Sequence, residues 1–586
     1  MCGWHVEGNL ALVMRVFAKP ISPTAGFGCL TGLMAFVLIT GCSPEKPSKS
    51  KDSEQPAAES TTQSEVPEAP PYKPIANAKS IDDFVFGRLK QLEIRPAPPC
   101  TDEVFVRRVY VDLLGTVPTA NEAAAFLADR NSGKRKRLID KLLQREEFAD
   151  YWSMKWGDLL RIKAEFPINL WPNAAQAYHR WLRSALVQNK PYDRMAREML
   201  TASGSNFRVG QVNFYRAMQN RTPDGIARTV ALTFMGTRAE KWPAEKLELF
   251  AACFAEVGYK PTREWKEQIV YWDPEKPMKD AKAHMKAHTN QTVKYVPLKT
   301  VKDAVLPDGS KFRRKPGQDP REAFADWLIR KDNEWFARCI VNRVWAWLMG
   351  RGVVHPFDDI RSDNPPANPG LLAHLEREFV KNRYDLRHLY RQILNSRAYQ
   401  LSAKGRSDNP IATANFACYP LRRLEAEVMI DSINKVTGTH DLYTSAIPEP
   451  FTYIPKDIPA VAIADGSITS PFLAMFGRSP RASGLADERT SKIIAGQWLH
   501  LLNSTHIYQK IETGYGLKAI RDAKKNNRKT LDRLYLTILS RRPTASEARI
   551  AMEYDVKTLS SQPTDREVWI DRAWALINSD EFLFRH

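Results

Sequence analysis

The 586-residue sequence predicts a mainly α-helical protein, with two helical domains and a small β-rich segment between them. First, apolar residues recur at three- and four-residue intervals through most of the chain after residue 80, and capping residues separate these stretches. Second, residues 261–318 contain the β-prone pieces VKYVPL, KTVKDAVL and KFRRK, with Pro-Asp-Gly at 307–309 as a hairpin turn. Third, a chain of this length exceeds a single hydrophobic core. We therefore expect helical domains over 80–260 and 319–586.

The N-terminal segment predicts export and a lipid anchor. Arg15 and Lys19 precede an apolar run at 30–40 that is too short to cross a bilayer. The run ends in LITGC, which resembles the lipobox of bacterial lipoproteins. This resemblance implies that Cys42 receives a diacylglyceryl group on its thiol and becomes the mature N-terminus. Residues 1–42 are therefore predicted to be a lipoprotein signal peptide, with an unprocessed anchor helix as the alternative.

The next segment, residues 43–79, is predicted to be a disordered linker. It is rich in Pro, Ser, Glu and Lys and has almost no large apolar residue, so it cannot bury enough surface to fold. A tether after a lipidated cysteine holds a globular body away from a membrane. The sequence thus predicts a protein anchored in the cell envelope, facing the periplasm or the surface. Translation starts at Met1 or at Met14, because the residues ahead of Met14 carry no signal-like basic start.

The net charge and its distribution limit the classes of molecule that the chain is expected to bind. The formal net charge is +19, and its clearest concentration lies between residues 276 and 315, where eleven Lys or Arg stand against three Asp. A basic segment of this kind either binds polyanions or is a solvated loop. Nucleic acid is disfavoured, because the chain has no zinc-finger spacing, aromatic RNA-binding signature or Walker glycine loop. The candidate partners are the membrane through the lipid anchor, polysaccharide and other envelope proteins.

Helix start and stop signals mark the first domain. An amphipathic helix is expected over 81–89, and the next one follows the capping sequence CTDE at 100–103 and ends at Gly115. Further helices are expected over 136–144, 148–160 and 174–188.

The strongest pattern in the second domain joins an amphipathic helix to an Asp-rich loop. The core face of the helix carries Ala337, Ile340, Val341, Val344, Trp345 and Leu348. Gly350 or Gly352 can end it with a left-handed cap. Arg338 and Asn342 lie on its flank, four residues apart, and are expected to reach across to the loop. That loop carries Asp358, Asp359, Arg361, Asp363 and Asn364.

These polar residues form the candidate site. Asp358, Asp359 and Asp363 can supply a general acid and base, or oxygen ligands to Ca²⁺. The candidate ligand-binding side chains are Arg338, Asn342, Arg361 and Asn364. The alternative role is structural, since Asp residues before Pro-rich turns commonly cap helices or accept hydrogen bonds from backbone amides. The catalytic residues stay unassigned, because no nucleophile elbow or H-E-x-x-H motif is present.

Metal, thiol and aromatic patterns give weaker signals. His284 and His288 lie four residues apart, a spacing able to bind Zn²⁺, but no third ligand is evident and no metal site is predicted. The cysteines of the folded region form no C-x-x-C pair, and their disulfide pairing stays open: Cys100, Cys253, Cys339 and Cys418. For Cys253 and Cys339, buried free thiols are expected. The tryptophans that can stack on sugar rings or fill a core are Trp152, Trp156, Trp335, Trp345 and Trp347.

The remainder of the second domain is expected to be helical around one long loop. Helices are expected over 371–381, 386–394, 422–436, 492–503, 528–539 and 566–578. Residues 445–471 show little periodicity, which indicates a long ordered loop of the kind that often borders a binding site. Residues 580–584 are expected to dock the C-terminus.

Several sequence blocks in a fixed order resemble a known family. In the first half they are IDDFVFGRL, FVRRVYVDLLGTVPT, KWGDLLR, YHRWLRSAL and RTPDGIARTVALTFMGTR. In the second half they are DPREAFADWL, NEWFARCIVNRVWAWLMGRGVV, YDLRHLYRQILNSRAYQ, RRLEAEVM and DRAWALINSDEFLFRH. They resemble the paired domains of large planctomycete surface proteins, a cytochrome-c-associated domain followed by a planctomycete-specific domain. The resemblance implies two domains of unknown function.

The chain departs from that family where a haem would be attached. Members commonly carry a C-x-x-C-H-like segment after the stretch that corresponds to TFMGTR, whereas residues 237–243 here contain neither Cys nor His. A paired-cysteine stretch is also missing from 477–490. We therefore expect no haem and no other cofactor, and a redox role is disfavoured.

Together these observations predict a lipid-anchored protein that acts as a binding or assembly component of the cell envelope. Polyanionic polysaccharide is the candidate ligand. The competing hypothesis is a carboxylate-dependent hydrolase acting on polysaccharide, with Asp358, Asp359 or Asp363 as its acid and base. Convergence of these side chains in a concave pocket would favour the hydrolase.

Overall fold

Most of the chain folds into helices, as the sequence predicts. The computed structural model describes residues 70–287, 299–407, 409–522, 528–557 and 565–586, all of which lie in one compact unit, Ala69–His586. Cys42 and the rest of the signal peptide, most of the linker, the piece VKYVPL, the His284 side chain and His288 lie outside the described residues. Within these ranges no helix is long and apolar enough to cross a membrane.

The first helical region runs as far as the predicted β-rich segment. Its helices are α1 (Ile81–Gln91), α2 (Asp102–Leu114), α3 (Ala120–Ala128), α4 (Lys134–Leu142), α5 (Glu146–Leu159), α6 (Pro172–Val187), α7 (Tyr192–Thr201), α8 (Asn213–Arg216), α9 (Pro223–Val230) and α10 (Ala244–Ala251). Thr101 caps the start of α2 by accepting the Val104 amide. Gly115 ends α2 with φ of 62°, the left-handed conformation that the sequence predicts.

The second helical region follows α11 (Lys276–Ala287). Its helices are α12 (Pro320–Leu328), α13 (Phe336–Met349), α14 (Pro369–Lys381), α15 (Leu386–Asn395), α16 (Pro410–Ala414), α17 (Ala426–Thr437), α18 (Pro471–Met475), α19 (Ala495–Asn503), α20 (Thr505–Thr513), α21 (Lys518–Arg521), α22 (Arg528–Ile538), α23 (Ala545–Lys557), α24 (Asp565–Ile577) and α25 (Asp580–Leu583). Between α17 and α18, residues 445–470 form a long loop with a single short 3₁₀ turn, Ala460–Ala462, as expected.

A small antiparallel sheet accompanies the first region. It consists of β1 (Gly204–Ser205), β2 (Val257–Pro261) and β3 (Gln268–Trp272), in the order β1-β3-β2. In the register, Tyr259 lies opposite Val270. The sheet therefore begins earlier in the chain than the predicted β-rich segment.

Two of the predicted β-prone pieces do not become strands. KTVKDAVL contains the 3₁₀ turn Val301–Asp303, and KFRRK pairs only through an isolated bridge between Val305 and Lys311. The KFRRK prediction is wrong because its Arg314 forms an ion pair with Glu256, with 2.7 Å between Nη1 and Oε2. The predicted turn at 307–309 is confirmed, since the Leu306 amide donates to the Ser310 carbonyl across it at 2.9 Å.

Helix α13 is a central element of the core, as the sequence pattern predicts. Its apolar face is almost completely buried, with Trp345 and Ile340 at 0% exposure. Gly350 ends the helix with φ of 72°, a conformation that a glycine adopts without steric cost. Helix α13 packs against α14, which follows it in the chain after the Asp-rich loop (residues 350–368).

The C-terminus pairs with residues from the second helical region in a two-stranded ribbon. The strands are β4 (Arg422–Arg423) and β5 (Phe584–Arg585), which are antiparallel. Arg422 and Arg423 therefore precede α17 as a strand, whereas the sequence predicted that the helix begins at residue 422. The helix begins later because the backbone at 422–423 pairs with the chain terminus. The terminus docks as expected, with Phe582 and Leu583 buried.

Buried charges fix this ribbon to α2. Arg585 donates from Nη1 to Asp112 Oδ1 at 2.8 Å and from Nη2 to the Tyr151 hydroxyl at 2.9 Å. The other Asp112 oxygen accepts hydrogen bonds from the hydroxyls of Tyr399 and Tyr419, each at 2.8 Å. Removing one member would leave a buried charge without its counter-charge, which is strongly destabilising.

We predict that Asp112→Ala lowers the free energy of unfolding by roughly 3–5 kcal/mol, because it leaves Arg585 Nη1 and the hydroxyls of Tyr399 and Tyr419 without their buried acceptor. Urea denaturation followed by circular dichroism measures this change. The matched control is Asp332→Ala, whose side chain is 75% exposed and pairs with Arg330 at the surface; it should change stability by less than about 0.5 kcal/mol. Equal effects of the two substitutions would contradict the prediction.

Candidate functional site

The Asp-rich loop is held in place by ion pairs. Asp358 is buried, and its Oδ1 accepts hydrogen bonds from Arg343 Nη2 at 2.6 Å and Nε at 3.2 Å. The same guanidinium donates from Nη1 to the Thr233 carbonyl at 2.9 Å. Asp358 thus serves to join the loop to α13 and to the first helical region. Arg343, its partner, was not among the predicted site residues.

The other two aspartates also have cationic partners. Asp359 pairs with Lys241 Nζ at 2.9 Å and with Arg361 Nε at 3.1 Å. Asp363 is 70% exposed and pairs with Arg361 Nη1 at 3.3 Å. Asn364 donates its side-chain amide to the Asp359 carbonyl at 2.8 Å. Each contact is of the kind that shapes a loop, and Asp358 also lines the pocket described below.

The two flanking residues of α13 point to different places. Asn342 reaches the loop as expected: its Nδ2 donates to the Val354 carbonyl at 3.0 Å, and its Oδ1 accepts the Val354 amide at 2.9 Å. Arg338 does not, and that prediction is wrong. Its Nε donates to Glu376 Oε1 on α14 at 2.8 Å, because α14 crosses α13 at this turn while the loop leaves from the opposite end.

A pocket of about 410 Å³ opens beside the C-terminal end of α13, and we call it the arginine-lined pocket. Both helical regions contribute to its wall: α5 from the first, and α13, β4 and the segment 476–493 from the second. Its charged lining residues are Lys155, Asp158, Arg343, Asp358, Arg422, Arg423, Glu425, Arg489 and Arg585. Six of these are cations and three are carboxylates, so the lining carries an excess of positive charge.

The carboxylates of the pocket are already neutralised by neighbouring cations. Glu425 accepts hydrogen bonds from both Lys155 and Arg585. Asp158 accepts from Arg489 Nη2 at 2.7 Å and from Arg481 Nε at 2.9 Å. Behind the wall, Glu427 accepts from Arg489 Nη1 at 2.6 Å. These carboxylates fix the geometry of the surrounding guanidinium groups.

The electrostatics keep these acids ionised. Burial by itself would raise the pKa of Glu425, but Arg585 and Lys155 hold it well below its usual range. Burial would likewise raise the pKa of Glu427, but the Arg489 guanidinium lowers this pKa to about 2. Burial also lowers the pKa of Lys155, against the attraction of Glu425. A carboxyl group that stays ionised in this way is a poor general acid.

Two arginines in the pocket lack a carboxylate partner. Arg422 donates from Nη1 to the Trp347 carbonyl at 3.0 Å and from Nη2 to the Leu348 carbonyl at 2.7 Å. Arg423 donates from Nη2 to the carbonyls of Phe476 at 2.9 Å and Thr490 at 3.2 Å. Nε and Nη1 of Arg423 are buried, and no acceptor for them occurs in the part of the chain that the structure describes. The excess positive charge therefore resides on β4.

One side of the pocket is apolar. Trp347 and Phe476 line it, and the rim carries Leu421 at 60% exposure and Ile493 at 48%. Trp347 is held by ring contacts with Trp152 at 5.5 Å and Trp156 at 5.7 Å between centroids. The pocket thus presents guanidinium groups beside a fixed aromatic ring.

The other predicted stacking tryptophans lie elsewhere. Trp152, Trp156 and Trp345 belong to the core, at 1% exposure or less. Trp335 is half-buried against Trp327, with 5.9 Å between ring centroids. Trp347 is therefore the one predicted tryptophan that lines the arginine-lined pocket.

A second, more open cavity of about 770 Å³ lies near the N-terminal end of α13, and we call it the basic cleft. Its cationic lining residues are Arg194, Lys331, Arg377, Lys381 and Arg383. Its carboxylates are Asp193 and Glu376, and Glu376 pairs with Arg338 at 2.8 Å. Burial raises the pKa of Glu376, against the opposing attraction of Arg338. Arg338, a predicted ligand-binding residue, thus belongs to the edge of this cleft.

The thiols follow the sequence predictions where they can be compared. The four cysteines of the described chain are free, and Cys253 and Cys339 are buried as expected. Burial raises the pKa of the Cys339 thiol to about 11, so it is inert at neutral pH. No group of three or more His, Cys, Asp or Glu side chains within the described ranges is arranged to hold a metal ion.

The depressed pKa of Glu427 predicts an acid-sensitive step in stability. Its ordinary pKa is 4.5, and the folded value is about 2, so the stabilisation is complete above pH 4.5 and is lost as the pH falls from 4.5 towards 2. We predict that Glu427→Gln costs about 3 kcal/mol at pH 7 and flattens the pH dependence of unfolding over that interval. Urea titrations at pH 7, 4.5 and 3 measure both effects.

The matched control for this measurement is Glu146→Gln, whose side chain is 78% exposed and pairs with Arg183 at the surface. It should leave both the stability and its pH dependence close to those of the natural protein. A Glu427→Gln variant with the natural slope would contradict the lowered pKa.

Two family models match the chain, in the order that the sequence blocks suggest. PSCyt2, a protein family of unknown function (DUF1549), matches residues 80–241, and PSD1, a protein family of unknown function (DUF1553), matches residues 320–554. No curated protein and no solved structure matches the chain. Lys155 and Asp158 of the arginine-lined pocket lie in the first match, and Arg422, Arg423 and Arg489 lie in the second. The chain therefore belongs to the family that pairs these two domains, the cytochrome-c-associated and planctomycete-specific domains of unknown function.

Proposed function

We propose that this chain is a binding protein of the cell envelope that holds acidic groups of a polysaccharide in the arginine-lined pocket. The observation that carries the proposal is the pair Arg422 and Arg423, which line the pocket and have no carboxylate partner among the described residues. Guanidinium groups bind carboxylate and sulfate through paired charge-assisted hydrogen bonds. An acidic group on a sugar therefore matches the donors that the pocket offers.

The aromatic wall supports a sugar as the rest of the ligand. The face of a sugar ring that carries axial C–H groups is apolar and packs on an aromatic ring, whereas its hydroxyl groups need polar partners. Trp347, which is half-buried, supplies the first kind of surface next to the two arginines. Leu421 and Ile493 extend it at the rim, where such large exposed apolar side chains commonly mark an interaction site.

Preorganisation favours binding in this pocket. Arg423 and Arg422 are oriented by hydrogen bonds to backbone carbonyls before any ligand arrives, so little side-chain entropy is lost on binding. The carboxylates nearby, Asp158 and Glu425, are each paired with two cations and so repel an anionic ligand less than free carboxylates would. The net charge of the lining remains positive.

The basic cleft supports a polyanionic chain rather than a single acidic unit. Its exposed cations include Arg194, Arg377 and Arg383, and among the described residues no carboxylate forms an ion pair with these three. Exposed cations of this kind attract a polyanion through long-range electrostatics, which added salt screens. A repeating acidic polymer would gain from both sites.

The hydrolase hypothesis receives less support. Glycoside hydrolysis needs one carboxylic acid with a raised pKa and a second carboxylate about 5–10 Å away across the same cavity. Asp358, Asp359 and Asp363 instead pair with Arg343, Lys241 and Arg361, and the carboxylates of the arginine-lined pocket are held ionised. Binding without turnover is the simpler function for this geometry.

The membrane attachment is part of the proposal. The lipobox-like LITGC sequence with Cys42 and the linker after it would tether the folded body at the envelope. A tethered protein meets a polysaccharide that lies in the same layer at high effective concentration, so a modest affinity per site is sufficient.

We predict that the full chain in detergent micelles binds oligogalacturonate and sulfated galactan, and that Arg423→Gln weakens this binding at least tenfold. The reason is the loss of a charge-assisted hydrogen bond, which contributes about 1.5–3 kcal/mol. Isothermal titration calorimetry at low salt measures the affinity. Neutral galactan of the same length should bind at least tenfold more weakly than either acidic ligand.

The matched control variant is Arg180→Gln, the same substitution at an exposed arginine of α6 outside both cavities. It should bind like the natural protein. An unchanged affinity in Arg423→Gln, or equal binding of neutral galactan, would refute the proposed site. Release of new reducing ends during the titration, abolished by Asp359→Asn, would support the hydrolase hypothesis instead.

The anchor yields a separate prediction. Cells that express the natural chain should incorporate a clickable palmitate analogue into it, and the protein should partition into the detergent phase with Triton X-114. Cys42→Ala should lose both properties, because the thiol that receives the diacylglyceryl group is absent. The control Cys100→Ala should keep both. Persistent labelling of Cys42→Ala would show that a lipid is attached elsewhere or that the apolar segment remains as an anchor.

A further inference from the structure

Two histidines meet where α19 turns into α20. His500 lies on α19 and His506 on α20, and the distance between His500 Nε2 and His506 Nδ1 is 3.3 Å. Both imidazoles are partly exposed, with His506 at 33% of its side-chain area. They lie against the edge of Phe472, whose ring centroid is 5.7 Å from that of His500 and 6.0 Å from that of His506. The two nitrogens thus face each other at the surface, on an apolar support.

The separation of these two nitrogens matches a shared metal ion. Zinc binds imidazole nitrogen at about 2.0–2.1 Å, and two such bonds at the tetrahedral angle place the nitrogens about 3.3–3.4 Å apart. The observed 3.3 Å therefore lies at the tetrahedral separation, and in the metal-free protein the same two nitrogens are within hydrogen-bond distance.

The outer ring nitrogen of His506 has the partner that metal-binding histidines use. His506 Nε2 lies 2.7 Å from Asp441 Oδ1. A carboxylate in this position fixes the ring, keeps the proton on Nε2 and leaves the lone pair of Nδ1 for a metal. Asp441 is itself held by Asn434, whose Nδ2 donates to Asp441 Oδ2 at 2.9 Å. This arrangement is a second observation, independent of the distance between the histidines.

The charges around the pair are balanced. Lys510 Nζ lies 3.1 Å from Asp441 Oδ2 and also donates to Asn434 Oδ1 at 2.8 Å, so the ammonium group is turned towards these oxygen atoms.

We propose that His500 and His506 bind one divalent cation of the zinc class, with Asp441 orienting His506 and water in the remaining positions. Imidazole ligands suit Zn²⁺, Cu²⁺ and Ni²⁺, whereas Ca²⁺ and Mg²⁺ prefer oxygen ligands. The site has two protein ligands, so its affinity falls below that of a closed structural zinc site. It is independent of the arginine-lined pocket and of the proposed polysaccharide binding.

The test uses Zn²⁺ itself on the full chain in detergent micelles, with isothermal titration calorimetry in a buffer that does not bind metals. We expect one high-affinity Zn²⁺ per chain, and a loss of affinity of at least tenfold in both His500→Gln and His506→Gln. Asp441→Asn should weaken binding about 10- to 100-fold, the range for loss of a carboxylate partner. At pH 5.5 the affinity of the natural protein should fall, because protons compete for the imidazoles.

Two control variants isolate the site. His440→Gln changes an exposed histidine next to Asp441 and should bind Zn²⁺ like the natural protein. The double variant His284→Gln/His288→Gln removes the i,i+4 pair noted in the sequence and should also retain the high-affinity Zn²⁺. Loss of that Zn²⁺ in the double variant, with retention in His500→Gln and His506→Gln, would overturn the proposal.

A second measurement uses only the natural protein, so it tests the proposal even if the variants fail to fold. The natural protein loaded with one Co²⁺ should show the intense visible absorption of tetrahedral Co²⁺, which Zn²⁺ then displaces. An octahedral Co²⁺ spectrum, or the absence of any zinc binding by the natural protein, would also overturn the site. Neither result bears on the affinity for acidic saccharides, which is measured with Arg423→Gln.

Discussion

The fold depends on one buried electrostatic contact, in which Arg585 lies between Asp112 and Glu425. Three charges that have been removed from water need good mutual geometry, since their attraction must offset a desolvation cost of several kcal/mol per ion. This requirement fixes the position of the C-terminal strand β5 relative to α2. Because β5 pairs with β4, it also fixes Arg422 and Arg423. The wall of the arginine-lined pocket thus depends on a contact between α2, near the start of the folded region, and the C-terminal strand β5.

The same contact accounts for the excess charge in the pocket. Glu425 is shared by Arg585 and Lys155, and Asp158 is shared by Arg489 and Arg481, so each of these carboxylates neutralises more than one cation. The two arginines of β4 find only carbonyl and hydroxyl partners among the described residues. Nε and Nη1 of Arg423 are buried and have no acceptor among the described residues, which costs free energy. Guanidinium groups without carboxylate partners are expected in a site that binds an anion.

Local features of this fold could be predicted from the sequence, and long-range pairs could not. The periodicity of α13, its end at Gly350 and the reach of Asn342 to the Asp-rich loop follow from residues close together in the chain. The sequence selected Arg338 for the loop, whereas Arg343 binds Asp358, because helical spacing does not tell which flank meets the loop. Arg423 and Arg489 were missed for a similar reason. Their roles depend on partners from α5 and on the C-terminal strand, which no local pattern reveals.

Residues from both family domains form the wall of the arginine-lined pocket. Lys155 and Asp158 come from the PSCyt2 region, while Glu425 and Arg489, their partners, come from the PSD1 region. Either region alone would leave these charges without partners at a surface that is otherwise apolar, at a considerable cost in free energy. The absence of a haem-attachment motif does not affect this wall, since none of its residues lies in 237–243. The ion pairs of the pocket wall, Lys155–Glu425 and Asp158–Arg489, are thus contacts that join the two matched regions.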